Sequence, residues 1–235
     1  MVENPKILIR QTGDRIIATI DFQKLYHLNN LHSSSPNNPK NIEFLKTLLT
    51  IINSSILTWY YRKISLEEGR AMAQTDIETI EKLPIPEITH TIKDVLDRMS
   101  DYLLFLNATE ERRQKPKEMI EFFDRQIADS LVYELYFKEK FAEDGLYPEP
   151  KEYLLEAVSK HLRPINYDRW AELYWKKQLE GNLKPEEEKE LEDLENENLK
   201  TIIEVAEAIK ADREIVELIE KIKGHEWVRV VEGGN

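Results

Sequence analysis

Arg10-Gln11, Asn29-Asn30, His32 and Arg62-Lys63 are the residues whose types and spacing could do chemistry in this chain. Arginine reads guanine well, asparagine and glutamine can pair with adenine, and cations buttressed by aromatics suit phosphate. Each also has a plainer reading. Arg10-Gln11 stands at the lip of an expected hairpin, where ordinary polar residues go. Asn29-Asn30 and His32 are turn-forming side chains. Arg62-Lys63 follows Trp59-Tyr60-Tyr61 and would complement the C-terminal end of a helix. Spacing alone leaves those two readings of Arg62-Lys63 even.

Other chemistries find less support. The five histidines (27, 32, 90, 161 and 225) are scattered, and none forms an i, i+4 pair around a glutamate, so a helical metal site is not expected. With 0 Cys there is no thiolate site and no disulfide framework. No nucleophile elbow, Walker loop or Gly-rich dinucleotide fingerprint occurs. Glu149-Pro150-Lys151 mimics the end of a nuclease motif, but no Pro-Asp precedes it. Pro185–Glu197 holds 8 acidic residues in 13, and a solvated helix face is the economical account of that run.

The elements that must position these side chains divide the chain in two. Lys6–Gln11 and Arg15–Asp21 flank Thr12-Gly13-Asp14 and predict a β-hairpin. Tyr26–Leu31 is expected to add a third strand, followed by a loop over Ser33-Ser34-Ser35-Pro36-Asn37-Asn38-Pro39. Asn38 could cap a helix starting at Pro39 and running to about Lys63, with Phe44, Leu48, Ile52, Ile56 and Trp59 or Tyr60 at helical spacing. A further helix fits Ala71–Leu83, closed by Leu83-Pro84-Ile85-Pro86. Everything after Glu87 reads as helix. The stripes are Ile92, Val95, Met99, Tyr102, Leu106 and then Ile120, Phe123, Ile127, Leu131, Leu135. Later helices fit Lys151–Leu162, Tyr167–Leu179 and Pro185–Lys223, the last broken near Ala211-Asp212 with Asp212 as a cap. The last of these carries Leu191, Leu194, Leu199, Ile202, Ala206 and Ile209 on one face.

Charge follows the same division. The net −12 excludes a globally basic nucleic-acid binder, but residues 1–66 carry 8 Lys/Arg against 4 Asp/Glu and residues 67–235 carry 25 against 41. A basic head on an acidic body suggests different partners for each. The longest apolar runs are far too short to span a membrane and no signal peptide is evident, so the cytoplasm is the expected location.

Several blocks occur in an order that resembles a known family. They are Ile7–Asp14, Ile16–Asp21, Tyr26–His32, Leu48-Leu49 with Ile52-Asn53-Ser54, Leu57–Arg62, and Gln74-Thr75-Asp76 leading to Leu83-Pro84-Ile85-Pro86. Together they are similar to the TaqI-like C-terminal specificity domain, the target recognition domain of adenine-specific DNA methyltransferases and type IIG restriction-modification enzymes. Asp124–Ile127 and Leu131–Tyr136 resemble that family's closing helix. Trp227–Gly233 resembles its ending, where a short strand is usual, but a helical insertion intervenes.

The resemblance implies an α+β fold: a small α/β recognition module over 1–86 and a mostly helical region over 87–235. The latter comprises resembling helices at 91–136, an insertion at 137–224 and a terminal segment at 225–235. It implies a DNA-facing set of Arg10, Gln11, Asn29, Asn30, His32, Arg62, Lys63 and Arg70, with double-stranded DNA and a methyltransferase catalytic domain or subunit as partners. No Asn/Asp-Pro-Pro-Tyr/Phe motif occurs, so S-adenosylmethionine and catalysis are expected on that partner, and neither a catalytic residue nor a metal on this chain. The alternative is an acidic helical interaction or regulatory protein that does not bind DNA. The cheap discriminator is a positive face built from Arg10, Arg62, Lys63 and Arg70.

Overall fold

The computed structural model describes residues 4–13, 15–28, 30–36, 39–65, 75–109 and 116–233. Three short strands open the chain: β1 (Lys6–Arg10), β2 (Ala18–Asp21) and β3 (Leu31–Ser34). They form one antiparallel sheet in the order β2-β1-β3. The expected hairpin pairs β1 with β2, Ile7 opposite Ile20 and Ile9 opposite Ala18. Gly13, in its turn, has φ +148°, and a Cβ there would lie 2.4 Å from Nη2 of Arg10. The positive φ is what favours glycine there, since the guanidinium ends a flexible side chain and could move aside. The third strand lies later than expected, at Leu31–Ser34 instead of Tyr26–Leu31, and takes in Ser33 and Ser34 from the supposed loop. The reason is the free edge of β1. Central-strand backbone groups need partners on both sides, and pairing Ile9 with His32 and Ile7 with Ser34 supplies them where serine's low strand propensity would not.

The single helix expected from Pro39 to Lys63 is instead a 3₁₀ turn (Pro39–Phe44) followed by α1 (Leu45–Ile52) and α2 (Ser55–Ile64). Asn38 lies outside the described residues. The break falls at Asn53-Ser54. Ser54 adopts extended backbone (φ −66°, ψ 153°) and caps α2. The Asn53 amide reaches across to β2, accepting from Ala18 N at 2.8 Å and donating to Ala18 O at 3.0 Å. Docking the helices on the sheet thus interrupts them, and Phe44, before the break, is left largely exposed. Of the Ala71–Leu83 helix, residues 71–74 lie outside the described residues and only α3 (Ile77–Ile80) is helical. Asp76 caps it and takes the amide of Thr79 at 3.0 Å, and Leu83–Thr89 then runs without regular structure.

The remaining described elements are helical, and the whole is α+β. They are α4 (His90–Thr109), α5 (Pro116–Glu121), a π-helical stretch (Phe122–Ala128), α6 (Asp129–Glu143), α7 (Tyr153–Ser159), α8 (Tyr167–Glu180), α9 (Pro185–Ala211), α10 (Arg213–Gly224) and α11 (Glu226–Gly233). The α9/α10 break falls where expected, with Asp212 accepting from Glu214 N at 3.0 Å. α7 is shorter than the Lys151–Leu162 expectation, and the terminal segment is a helix where the resemblance implied a strand. Its Val228 and Val231 repeat at helical spacing and are both buried.

One hydrophobic core runs from Ile7, Ile9 and Ile20 through Leu49 and Ile52 to Met99, Phe123, Ile202 and Val228. α4 lies along α1, and small hydroxyls at their contact let the backbones approach. Thr50 Oγ1 donates to Leu96 O at 2.9 Å, and Ser100 Oγ to Lys46 O at 2.5 Å. Among the described residues no helix is long and apolar enough to cross a membrane.

Candidate functional site

The site is built at the end of β1 farthest from its start. Thr75, buried at 3% exposure, stitches the strand end to its surroundings. Its amide donates to Gln11 O at 2.6 Å, its hydroxyl to Arg10 O at 2.5 Å, and its carbonyl accepts from Nε2 of His32 at 2.7 Å. A carbonyl can only accept, so that ring nitrogen carries the proton. Gln11 N then donates to Asn30 O at 3.0 Å. Arg10, Gln11 and His32 therefore converge on Thr75, and Asn30 joins them through Gln11. Next along the chain, Asp76 N donates to the Tyr61 hydroxyl at 2.8 Å, which ties the last turn of α2 to the same edge. Arg62 (half-buried) and Lys63 (exposed) follow Tyr61 directly. The hydrogen bond from Thr79 to Asp76 holds the Asp76 carboxyl below its ordinary range.

Sequence reasoning proposed eight residues here. Six are described: Arg10, Gln11, Asn30 and His32 belong to the Thr75 junction, and Arg62 and Lys63 follow Tyr61, which is bonded to it. Asn29 and Arg70 lie outside the described residues. The fits are unequal. Arg10 is exposed, with its guanidinium folded over Gly13. Asn30 is exposed. His32 holds Thr75 with one ring nitrogen, which makes it a positioning side chain. Thr75, Asp76 and Tyr61 were not among the proposed site residues. The signal for the first two was the Gln74-Thr75-Asp76 block, but a threonine that works through its backbone has no signature of its own.

The basic surplus of the head is partly spent inside the molecule. Lys6 pairs with Asp21 at 2.5 Å, both almost wholly buried. Lys46 bridges Asp101 of α4 at 2.7 Å and Asp168 of α8 at 3.0 Å. Burial pushes Asp101 up to about 6 against the pull of Lys46. The other described histidines have partners too: His161 with Asp212 at 2.7 Å, His225 with Asp144 at 3.1 Å, His90 with Asp94 at 3.1 Å, and His27 with Leu28 O at 3.2 Å. These are ordinary structural contacts. Among the described residues no group of three or more acidic or histidine side chains could hold a metal.

Residues 1–85 match the family model of the TaqI-like C-terminal specificity domain. The matched stretch contains the sheet, α1, α2, α3 and the Thr75 junction, and it supports a DNA-recognition role within a methyltransferase or restriction system. No curated protein and no solved structure matches the chain.

Proposed function

We propose that residues 1–86 read a DNA sequence for an adenine-specific methyltransferase or restriction-modification enzyme, and that residues 87–235 hold this module and face a catalytic partner. The observation that carries the reading is a coincidence of place. The stretch matching a specificity-domain family contains the basic residues 1–66, and its Thr75 junction holds Arg10 and Gln11 and, through Gln11, Asn30. S-adenosylmethionine and the methyl transfer belong to the partner in this scheme, so this chain is expected neither to bind the cofactor stoichiometrically in calorimetry nor to methylate DNA.

The direct test is duplex binding at fixed salt, first with the whole chain and then with the partnered enzyme. Arg62→Ala is expected to weaken binding to all sequences alike, as loss of a phosphate contact does. Arg10→Ala or Asn30→Ala is expected to cost about 1–3 kcal/mol on the preferred site and to relax its specificity. Unchanged preference in folded variants would remove those two side chains from base reading. Failure of both forms to select any duplex would return the molecule to the acidic interaction-protein reading.

A further inference from the structure

The segment joining β2 to β3 carries the two most exposed large apolar side chains of the described structure, Tyr26 at 89% and Leu28 at 81%. The fold gains nothing from burying them, and the chain around them is tied down at both ends. At the start, the buried Asp21 carboxylate accepts from Gln23 N and Leu25 N, both at 2.8 Å, while Lys6 pairs with it from β1. Lys24 between them takes φ +59°, a conformation non-glycine residues rarely adopt. At the far end Leu31 N donates to Leu28 O at 3.3 Å, and Asn30 O accepts from Gln11 N in the Thr75 junction. A buried ion pair and a left-handed lysine are thus used to hold up an apolar tip.

We propose that Tyr26 and Leu28 are specificity-determining side chains that contact thymine methyl groups in duplex DNA, beside the Arg10 and Asn30 edge. The inference rests on the DNA-recognition reading and adds to it. The tip is continuous with that edge through Asn30, and exposed Lys24 brings a cation to the same segment. A partner that complements both offers apolar surface next to negative charge, as the groove of a duplex does. The thymine C5-methyl is the apolar group that a base pair displays in the major groove.

The test is selection from a randomised duplex pool at fixed salt by the full chain and by the Tyr26→Ser, Leu28→Ser double variant. Both side chains are exposed, so the variant should melt within about 2 °C of the parent. The parent should enrich a motif. The variant should lose preference at A·T positions within it and bind the parent's site about tenfold more weakly. Replacing thymine by uracil at those positions should weaken the parent by a similar factor and leave the variant unchanged. An unaltered motif, loss confined to G·C positions, or indifference of the parent to uracil would overturn the proposal while leaving DNA recognition standing. If the parent enriches no motif, the DNA reading itself falls and takes this inference with it.

Discussion

Asp129 and Thr75 each pin one element against another, and they do so in opposite ways. Asp129, at the start of α6, is buried and spends its whole side chain. One oxygen accepts from Ser55 N at 2.8 Å, and the other from Ser55 Oγ at 2.7 Å and Arg125 Nη1 at 3.1 Å. It caps α2 from another part of the chain. The π-helical stretch just before it, closed by Asp129 N donating to Asp124 O, sits where Asp124, Arg125 and Asp129 meet α2. Glu134, one helical turn on, is equally absorbed. It accepts from Tyr147 Oη and Leu154 N at 2.6 Å and from Leu155 N at 2.9 Å, capping α7. Thr75 works mainly through its backbone and takes hold of the backbone of Arg10 and Gln11. Arg10 and Asn30 keep their side chains at the surface. A closed network consumes polar side chains to fix a fold, whereas a backbone-held edge leaves its side chains over for another molecule.

The largest effect should come from opening the closed network. Asp129→Ala strips the cap from α2 and takes from Arg125 one of its two carboxylates, leaving Asp124, and it is expected to cost about 3 kcal/mol in urea unfolding. A loss below about 1 kcal/mol would mean that Ser55 and Arg125 are satisfied by water and that the network is not closed.

Next comes a pH effect. Burial pushes Glu134 up to about 7, outweighing its three hydrogen-bond donors. A carboxyl whose folded pKa lies above its unfolded value stabilises most at low pH. This contribution should be fully present below about 4.5 and fade as pH rises through about 7, on the order of 3 kcal/mol across the window. Glu134→Gln should flatten that part of the stability curve. A parent curve that rises over the same range would show that the donors win over burial.

Asn53→Ala removes both bonds to the Ala18 backbone and should cost about 2 kcal/mol, since Ala18 N–H and C=O would be left without their partner. Thr75→Val is the smallest and the most telling change. It keeps the shape and the backbone bonds and loses only the hydroxyl to Arg10 O, so about 1 kcal/mol of stability is expected. Duplex binding measured alongside should nevertheless lose sequence preference, because Arg10 at the end of β1 loses the bond that Thr75 makes to it. Equal loss of stability and no loss of preference would erase the distinction between the two kinds of network.

Much of this was legible in the sequence, for reasons that are local. The hairpin follows from Gly13 between two alternating runs, and the helical stripes from Ile92 to Leu106 and from Ile120 to Leu135 follow from spacing. The break at Asp212 follows from a capping side chain. Each depends on a few neighbouring residues and on the periods of strand and helix. What only the tertiary structure decided lies between distant residues. The split of the first long helix needed Asn53 to meet Ala18. The late third strand needed the free edge of β1, and the loss of Lys6 and Lys46 as surface cations needed Asp21, Asp101 and Asp168. The convergence on Thr75 needed a residue some 65 positions from Arg10. Backbone hydrogen bonds and buried ion pairs satisfy whatever partner the fold brings close, and a partner's identity leaves no mark on the local pattern.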